Sequence, residues 1–385
     1  MRLDCCFNIE DLRQLARQRL PRPIFDFLEG GADDEWTIRR NAERFDAYPL
    51  MPRTLVDVSA IDTRTRLLGR DTAWPVVVAP TGANALFHHT GEAAVARAAA
   101  ESGIFYTAAT MSNQSLEEIG TLVDAPRIFQ VYVFRDRGLT EALVERCRAS
   151  RYDALCVTVD TPLSGNRERD RRNGMSMPPR WTPTNLWQFA VRPRWSLNSL
   201  LRTHFEIANF RGAAKGAAAG SGPVLQYVNS QFDRTLTWKD AGWLAAKWNG
   251  PFALKGILSV DDARRALDIG ASAIWLSNHG GRQADGVPAP VDCLAAIRAA
   301  VGDRIEIILD GGVRRGTHVL KALALGANAC AIGRPPLYGL AAGGQAGVER
   351  ALGILRSELE RDMALIGCPT LKDVGSHFLA PALDT

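Results

Sequence analysis

Eight short apolar runs recur along the chain, most of them separated by a segment of helical composition. They are WPVVVAP near Val76, GIFYTA near Ile104, RIFQVYV near Ile128, ALCVTVD near Ala154, FALKG near Phe252, SAIWLSNHG near Ala273, IEIILDGG near Ile305 and ACAIGRP near Cys330. Segments such as GEAAVARAAAES, GLTEALVERCRAS, SVDDARRALDIG and THVLKALALGA lie between them. Runs that are apolar throughout suit strands covered on both faces, and an alternation of strand and helix every 20 to 30 residues or so (roughly) is the spacing of βα units. Eight units predict an α/β fold: a closed (β/α)₈ TIM barrel whose active site is assembled at the strands' C-terminal ends. A doubly wound sheet is the competing fold, but neither GxGxxG nor GxxxxGK[ST] occurs. Between the fourth and fifth runs the spacing widens to about a hundred residues, so an insertion follows strand four.

Residues 1–70 read as an N-terminal helical cap, residues 71–385 as the barrel, and residues 171–222 as a basic, Trp-rich insertion within it. The cap offers NIEDLRQLARQRL, PIFDFLEGGA and DDEWTIRRNAERF, the last with an acidic start that suits a helix N-terminus. With 385 residues, 46% of them apolar, there is ample material for a core, and a formal charge of +4 gives no call for nucleic acid. Seven cysteines form no CxxC pair and no cluster with histidine, which predicts reduced thiols in the cytoplasm and no metal site. The N-terminus lacks an apolar signal core, and no stretch of 18 apolar residues occurs.

The strand ends carry an unusual density of polar residues. They supply Pro80, Thr81 and Gly82, then Gln130 and Tyr132, Thr158 and Asp160, Lys255, the stretch SNHGGRQ from Ser277, DGGVR from Asp310 to Arg314, and Gly333 with Arg334. Glycine turns with arginines on the last two strands are where such barrels bind phosphate, through backbone N–H groups and a cationic side chain. The bland alternative is a strand cap with solvated arginines. A second glycine–arginine turn one unit later weighs against it.

SNHGGRQ, together with ILDGGVRRGTHVLKALALGA and AIGRP, resembles the FMN-dependent family of L-2-hydroxy acid oxidising enzymes, which includes glycolate oxidases, L-lactate dehydrogenases and (S)-mandelate dehydrogenases. The likeness runs from RLPRPIFDFLEGGADDEWTIRRN through FQVYV, VTVDTPLSGNRERD and KGILSVDDARRA to MALIGCPTL. It implies FMN as cofactor, His279 as the base that takes a proton from the substrate, and Asp160 as the carboxylate that stabilises the imidazolium. By the same resemblance Arg167 and Arg282 grip the substrate carboxylate, Tyr132 contacts the substrate oxygen, and Lys255 supplies a cation at the level of the flavin. Pro80, Thr81, Gly82, Ala109, Gln130, Thr158 and Ser277 would face the flavin ring and ribityl chain, while Asp310, Gly311, Gly312, Arg314, Gly333 and Arg334 hold ribityl and phosphate. His88, His89 and His204 are expected to be structural.

Two departures bear on the substrate. Phe27 stands where many members have a tyrosine that assists carboxylate binding, and Met111 and Ala109 replace a tryptophan and a serine. Smaller and softer walls leave room for an aryl or larger alkyl group. In 171–222, eight Lys or Arg (Arg171, Arg172, Arg180, Arg192, Arg194, Arg202, Arg211, Lys215) face one acid, Glu206, beside Trp181, Trp187 and Trp195. Leu197, Leu200, Leu201, Phe205 and Ala208 line one side of a helix. This pattern predicts a peripheral membrane segment, at the cytoplasmic face of the inner membrane, and a membrane quinone as electron acceptor. A loop folded over the barrel mouth is the alternative for the insertion. Oxygen as acceptor, with hydrogen peroxide as product, and a non-redox phosphate-binding barrel are the alternatives for function. The resemblance also implies a homo-tetramer.

Overall fold

The computed structural model describes residues 2–175, 182–202, 206–211 and 221–380. Among them ten strands form: β1 (Thr65–Leu67), β2 (Arg70–Thr72), β3 (Val76–Val78), β4 (Phe105–Ala109), β5 (Arg127–Val131), β6 (Ala154–Thr158), β7 (Phe252–Ile257), β8 (Ala273–Ser277), β9 (Glu306–Asp310) and β10 (Ala329–Ile332). Strands β3 to β10 are parallel neighbours in chain order, and β10 pairs back onto β3, so the sheet closes as the TIM barrel that the eight runs predict. Alternation explains why these runs are apolar throughout. Val77, Phe105, Ile128, Cys156, Trp275 and Ile308 fill the interior, while their neighbours Val78, Tyr106, Phe129, Val157, Ile274 and Leu309 pack outward on the helices.

The short antiparallel hairpin β1–β2 has no counterpart among the expected elements. Leu68 and Gly69 form its turn with φ of 47° and 78°, and Leu67 and Leu68 are buried with the barrel's inner side chains. The Leu68 N–H is held by the Glu306 carboxylate at 2.8 Å, at the start of β9. The hairpin therefore plugs the end of the barrel opposite the strands' C-termini.

Helices Ile9–Arg19, Arg22–Glu29 and Trp36–Glu43 form in the first fifty residues. The acidic start of DDEWTIRRNAERF is not what caps the third of them. Glu35 has φ 58°, and the N–H groups of Trp36 and Thr37 are taken instead by the Asp285 carboxylate, at 3.2 and 2.7 Å. Asp33 accepts from the Asn166 amide at 2.7 Å, and Glu35 pairs with Arg169. A side chain some 250 residues away wins because it reaches two orphan donors at once.

Between β6 and β7 the chain forms helices Pro183–Ala190, Pro193–Arg202 and Ser221–Ser230. The apolar stripe expected from Leu197 to Ala208 is not one helix. The described helix runs to Arg202, residues 203–205 lie outside the described residues, and Ala208–Phe210 is a buried 3-10 turn whose Asn209 amide donates to the carbonyls of Ala109 and Thr110 at the end of β4. Arg180, Trp181, His204, Phe205 and Lys215, and the side chain of Leu200, lie outside the described residues. No helix among the described residues is long and apolar enough to cross a membrane.

Gly312 shows how closely the cap meets the barrel. Its φ is 77°, and a methyl group there would overlap the Asn41 carbonyl. Gly312→Ala is therefore expected to cost about 3 kcal/mol or more through left-handed strain and overpacking. A lowered midpoint in urea unfolding checks it, and an unchanged midpoint contradicts it.

Candidate active site

The stretch after β8 makes a corner that few residues tolerate. His279, Gly280 and Gly281 have φ of 57°, 63° and 75°, three successive left-handed residues. Only the two glycines adopt this without penalty; for the histidine it costs about 1–3 kcal/mol. Crowding dictates the glycines, since a Cβ on Gly281 would lie 2.7 Å from the Ile38 nitrogen. The corner is held from below by the Ser277 hydroxyl, which accepts from the His279 N–H at 3.0 Å and donates to the Asp310 carboxylate at 2.8 Å. It is held from the cap by Asn278 and Asn41, whose side-chain amides pair reciprocally at 2.8 and 2.7 Å.

This backbone presents the imidazole to Asp160, with His279 Nδ1 lying 3.0 Å from Asp160 Oδ1. Burial acts to raise the Asp160 carboxyl, but the His279 imidazole and the Lys255 ammonium outweigh it and hold the group below its usual range. A carboxylate there fixes the proton on Nδ1 and leaves Nε2 of the neutral ring as a base. Gly256 (φ 109°) makes room, because a Cβ at that position would sit 2.7 Å from Asp160 Cβ. Gln283 ties the same region together: its Nε2 donates to the carbonyls of Asp160 and Leu163, and its Oε1 accepts from the Gly165 N–H.

Cations crowd the same end of the barrel. The buried Lys255 ammonium lies 2.9 Å from both the Ser277 hydroxyl and Asp310 Oδ2. Burial disfavours its charge, yet Asp310 and Asp160 together raise its pKa. Arg282 and Arg167 both rest on the Phe27 ring, 5.2 and 5.6 Å from its centroid. Arg282 donates through one nitrogen to the Phe27 and Gly30 carbonyls, at 2.9 and 2.8 Å, and burial, aided by Arg167 and Arg334, pushes it down to about 9. Tyr132 follows β5 and meets the Phe232 ring edge-on at 5.0 Å; burial, reinforced by Asp160, pushes its hydroxyl up to about 12. The residues from 132, 160, 167, 255, 279 and 282 are thus brought to one end of the fold.

The expected cofactor residues ring the same mouth. Pro80, Thr81 and Gly82 follow β3, Ala109 ends β4, Gln130 lies in β5, Thr158 ends β6, and Asp310 ends β9 ahead of Gly311 and Gly312. Gly333 precedes the helical stretch Arg334–Leu365, which is broken by non-helical backbone at Gly343 and Gly344. Arg334, expected at the phosphate, also ties the cap to the corner after β8. Its guanidinium is turned back onto the carbonyls of Leu28, Gly30 and Gly280, at 3.2, 3.2 and 3.0 Å, because that helix end and corner leave acceptors without partners. Arg314, the other arginine expected at the phosphate, bonds the Val313 carbonyl. The His88 and His89 rings lie 4.3 Å apart, tilted by 32°, in the loop after β3, and the His88 ring bonds the Thr90 hydroxyl.

Asn41, Asn278 and Gln283 carried no expected role. Gln283 stood inside the quoted stretch, but its partners lie more than a hundred residues upstream, and Asn41 pairs across 237 residues, so no local pattern could signal either.

The residues fit FMN. The Gln130 side-chain nitrogen is buried without a partner at the barrel mouth, while its oxygen accepts from the Thr110 N–H. A Cβ built on Gly333 would meet Thr81 at 3.8 Å and Ala79 at 3.9 Å, so the ends of β10 and β3 lie in ordinary contact there. A polar ring edge suits the orphaned Gln130 nitrogen. Residues 16–381 match the family model of FMN-dependent dehydrogenases. Among characterised proteins, the chain is 44% identical to an L-lactate oxidase of Nostoc sp. (strain PCC 7120), over 97% of each. It is 40% identical to glycolate oxidase 3 of Oryza sativa subsp. indica, over 95% of this chain and 94% of that one. The crystal structure of the monotopic membrane protein (S)-mandelate dehydrogenase superposes with a TM-score of 0.94 at 35% identity, covering 98% of this chain and 99% of that one. A non-redox phosphate-binding barrel is excluded by these matches, and the chain belongs to the FMN-dependent dehydrogenase family of 2-hydroxy acid oxidoreductases.

Proposed function

We propose that the protein oxidises an L-2-hydroxy acid bearing an aryl or larger alkyl group to the 2-oxo acid, and delivers the electrons to a membrane quinone. The observation that carries the chemistry is the His279–Asp160 pair facing the same mouth as two guanidiniums on one aromatic ring. In this reading Arg167 and Arg282 hold the substrate carboxylate by charge-assisted hydrogen bonds. An anion also offsets the burial of Arg282 and its repulsion by Arg167 and Arg334, which together lower it. His279 Nε2 takes a proton from the substrate, and Asp160 stabilises the imidazolium. Tyr132 orients the substrate oxygen, and Lys255 supplies a fixed positive charge beside the ring. FMN, when bound, supplies the acceptor for the two electrons that leave the substrate. The Phe27 and Phe87 rings, stacked with centroids 6.4 Å apart, support an aromatic or bulky substituent. The names of the solved mandelate dehydrogenase and mandelate oxidases point the same way. An anaerobic screen of flavin bleaching over glycolate, L-lactate, L-mandelate and longer 2-hydroxy acids should give the fastest bleaching with the bulky ones. His279→Ala should keep the yellow colour and bleach about 10²–10⁴ times more slowly. Bleaching at the wild-type rate in that variant sinks the assignment.

The insertion supports the acceptor. Leu186, Trp187, Leu197 and Leu201 are 52%, 66%, 58% and 79% exposed on helices 183–190 and 193–202, with Arg194 and Arg202 also exposed. Apolar side chains beside cations suit the interface of an anionic bilayer. Trp195 belongs to the other reading, since its Nε1 donates to the Leu86 carbonyl at 3.0 Å, so part of the insertion does fold onto the barrel mouth. Oxygen is the second reading, favoured by the likeness to lactate and glycolate oxidases. The protein should sediment with anionic vesicles and reduce a quinone analogue faster than it makes hydrogen peroxide, and Leu197→Asp with Leu201→Asp should cut vesicle binding by about tenfold or more. Peroxide formation at the rate of quinone reduction sinks the acceptor assignment.

A homo-tetramer completes the reading. Met51, Leu55, Val56 and Leu365 are exposed together, Leu55 fully, where the Arg53 N–H donates to the Ile366 carbonyl. Sedimentation should give the mass of four chains and Leu55→Glu a smaller species; a monomeric wild type removes the tetramer.

A further inference from the structure

A buried carboxyl that this chemistry does not use lies behind the loop following β3. Glu92, near the start of helix Gly91–Glu101, is fully buried. Its Oε1 accepts main-chain N–H groups from two different loops, Asn84 at 3.1 Å and Asn113 at 3.0 Å. Its Oε2 has no partner, and neither do the side-chain amide of Asn84 or the hydroxyl of Tyr106, both buried. Burial pushes the Glu92 carboxyl up to about 7, against the pull of those two N–H groups. A chain that keeps an acid in so unfavourable a place gains something that an apolar residue would not give.

What it gains is visible in the bonds around it. The Ala83 N–H donates to the Met111 carbonyl at 3.1 Å, and the Ala85 N–H to Asn113 Oδ1 at 3.1 Å. With the Asn84 N–H on Glu92, three consecutive amides of the β3 loop are held by the β4 loop or by the one acid that grips both. Ala83 itself has φ 59°, a conformation that costs about 1–3 kcal/mol without such restraint. Pro80, Thr81 and Gly82 stand immediately before it, and a Cβ on Gly82 would lie 2.7 Å from the Met111 carbonyl oxygen. The loop has no slack.

We propose that Glu92 is a positioning residue for the flavin: its carboxyl oxygen locks the β3 loop to the β4 loop and thereby fixes Pro80–Gly82 against the ring. The proposal rests on the placement of Pro80–Gly82 at the flavin made above. Glu92 touches neither substrate nor ring and acts through the main chain.

The test uses the holoprotein and its FMN-stripped form. Flavin absorption bands, the FMN dissociation constant by fluorescence quenching and the affinity for sulfite, which adds to the ring, are measured for wild type, Glu92→Ala, Glu92→Gln and Gln130→Ala. Glu92→Ala should shift the bands and weaken both affinities about tenfold, the equivalent of losing one hydrogen bond to a charged group. Glu92→Gln keeps an acceptor oxygen and should restore both to within about threefold. Wild-type spectrum and affinities in Glu92→Ala overturn the proposal, as does a Gln variant no better than Ala. Should Glu92→Ala not fold, Asn113→Ala, which removes the Oδ1 contact to Ala85, must give the same band shift; an unshifted spectrum there overturns it. Gln130→Ala separates the two layers of the argument. If it perturbs the flavin while Glu92→Ala does not, only the role of Glu92 falls; if neither does, the ring placement falls and the proposal with it.

Discussion

The Ser277 hydroxyl, set between the Lys255 ammonium and the Asp310 carboxylate, is the junction on which the working end of this barrel depends. It joins the ends of β7, β8 and β9 in one buried cluster and also receives the His279 N–H. A buried ion pair contributes little net stability over an apolar substitute, but losing one member leaves an uncompensated charge that costs about 3–5 kcal/mol. The cluster therefore specifies geometry more than it stabilises the fold. By holding the first residue of a left-handed corner it decides where the imidazole points, and by attracting Lys255 it places a cation beside Asp160.

Charge balance at this end follows from that junction. Lys255, Arg167, Arg282, Arg314 and Arg334 gather within one mouth, and Asp160, Asp170, Asp310, Glu29 and Glu35 lie among them. Arg334 has its guanidinium buried among carbonyls, and burial, aided by Arg167 and Arg334, lowers the proton affinity of Arg282. In the proposed reading, a phosphate near the last two turns and a substrate carboxylate near Phe27 add to the negative charge of those acids.

Much of this was legible in the sequence, for a definable reason. Each barrel strand is buried on both faces, so its whole run is apolar, and the polar residue that ends it is conspicuous; Ser277, Asp310 and Lys255 all stand out in that way. The hairpin at 65–72 escaped because strands of three residues carry no usable period, and Leu67 and Leu68 look like any short apolar pair until the barrel gives them an inside. The capping of helix Trp36–Glu43 by Asp285, the Asn41–Asn278 pair and the turning back of Arg334 depend on contacts across the fold. Local composition holds no record of them. The insertion's apolar stripe was traced too far because the period runs on to Ala208, which belongs to a 3-10 turn.

The plug made by Leu67 and Leu68 has a consequence for traffic. With one end of the cylinder stoppered and the interior filled by Phe105, Ile128 and Trp275, nothing passes through the axis. Fuel, spent product and whatever collects the electrons must all come and go across a single rim. That rim is partly roofed by the insertion where Trp195 bonds Leu86, so they share one doorway rather than a tunnel.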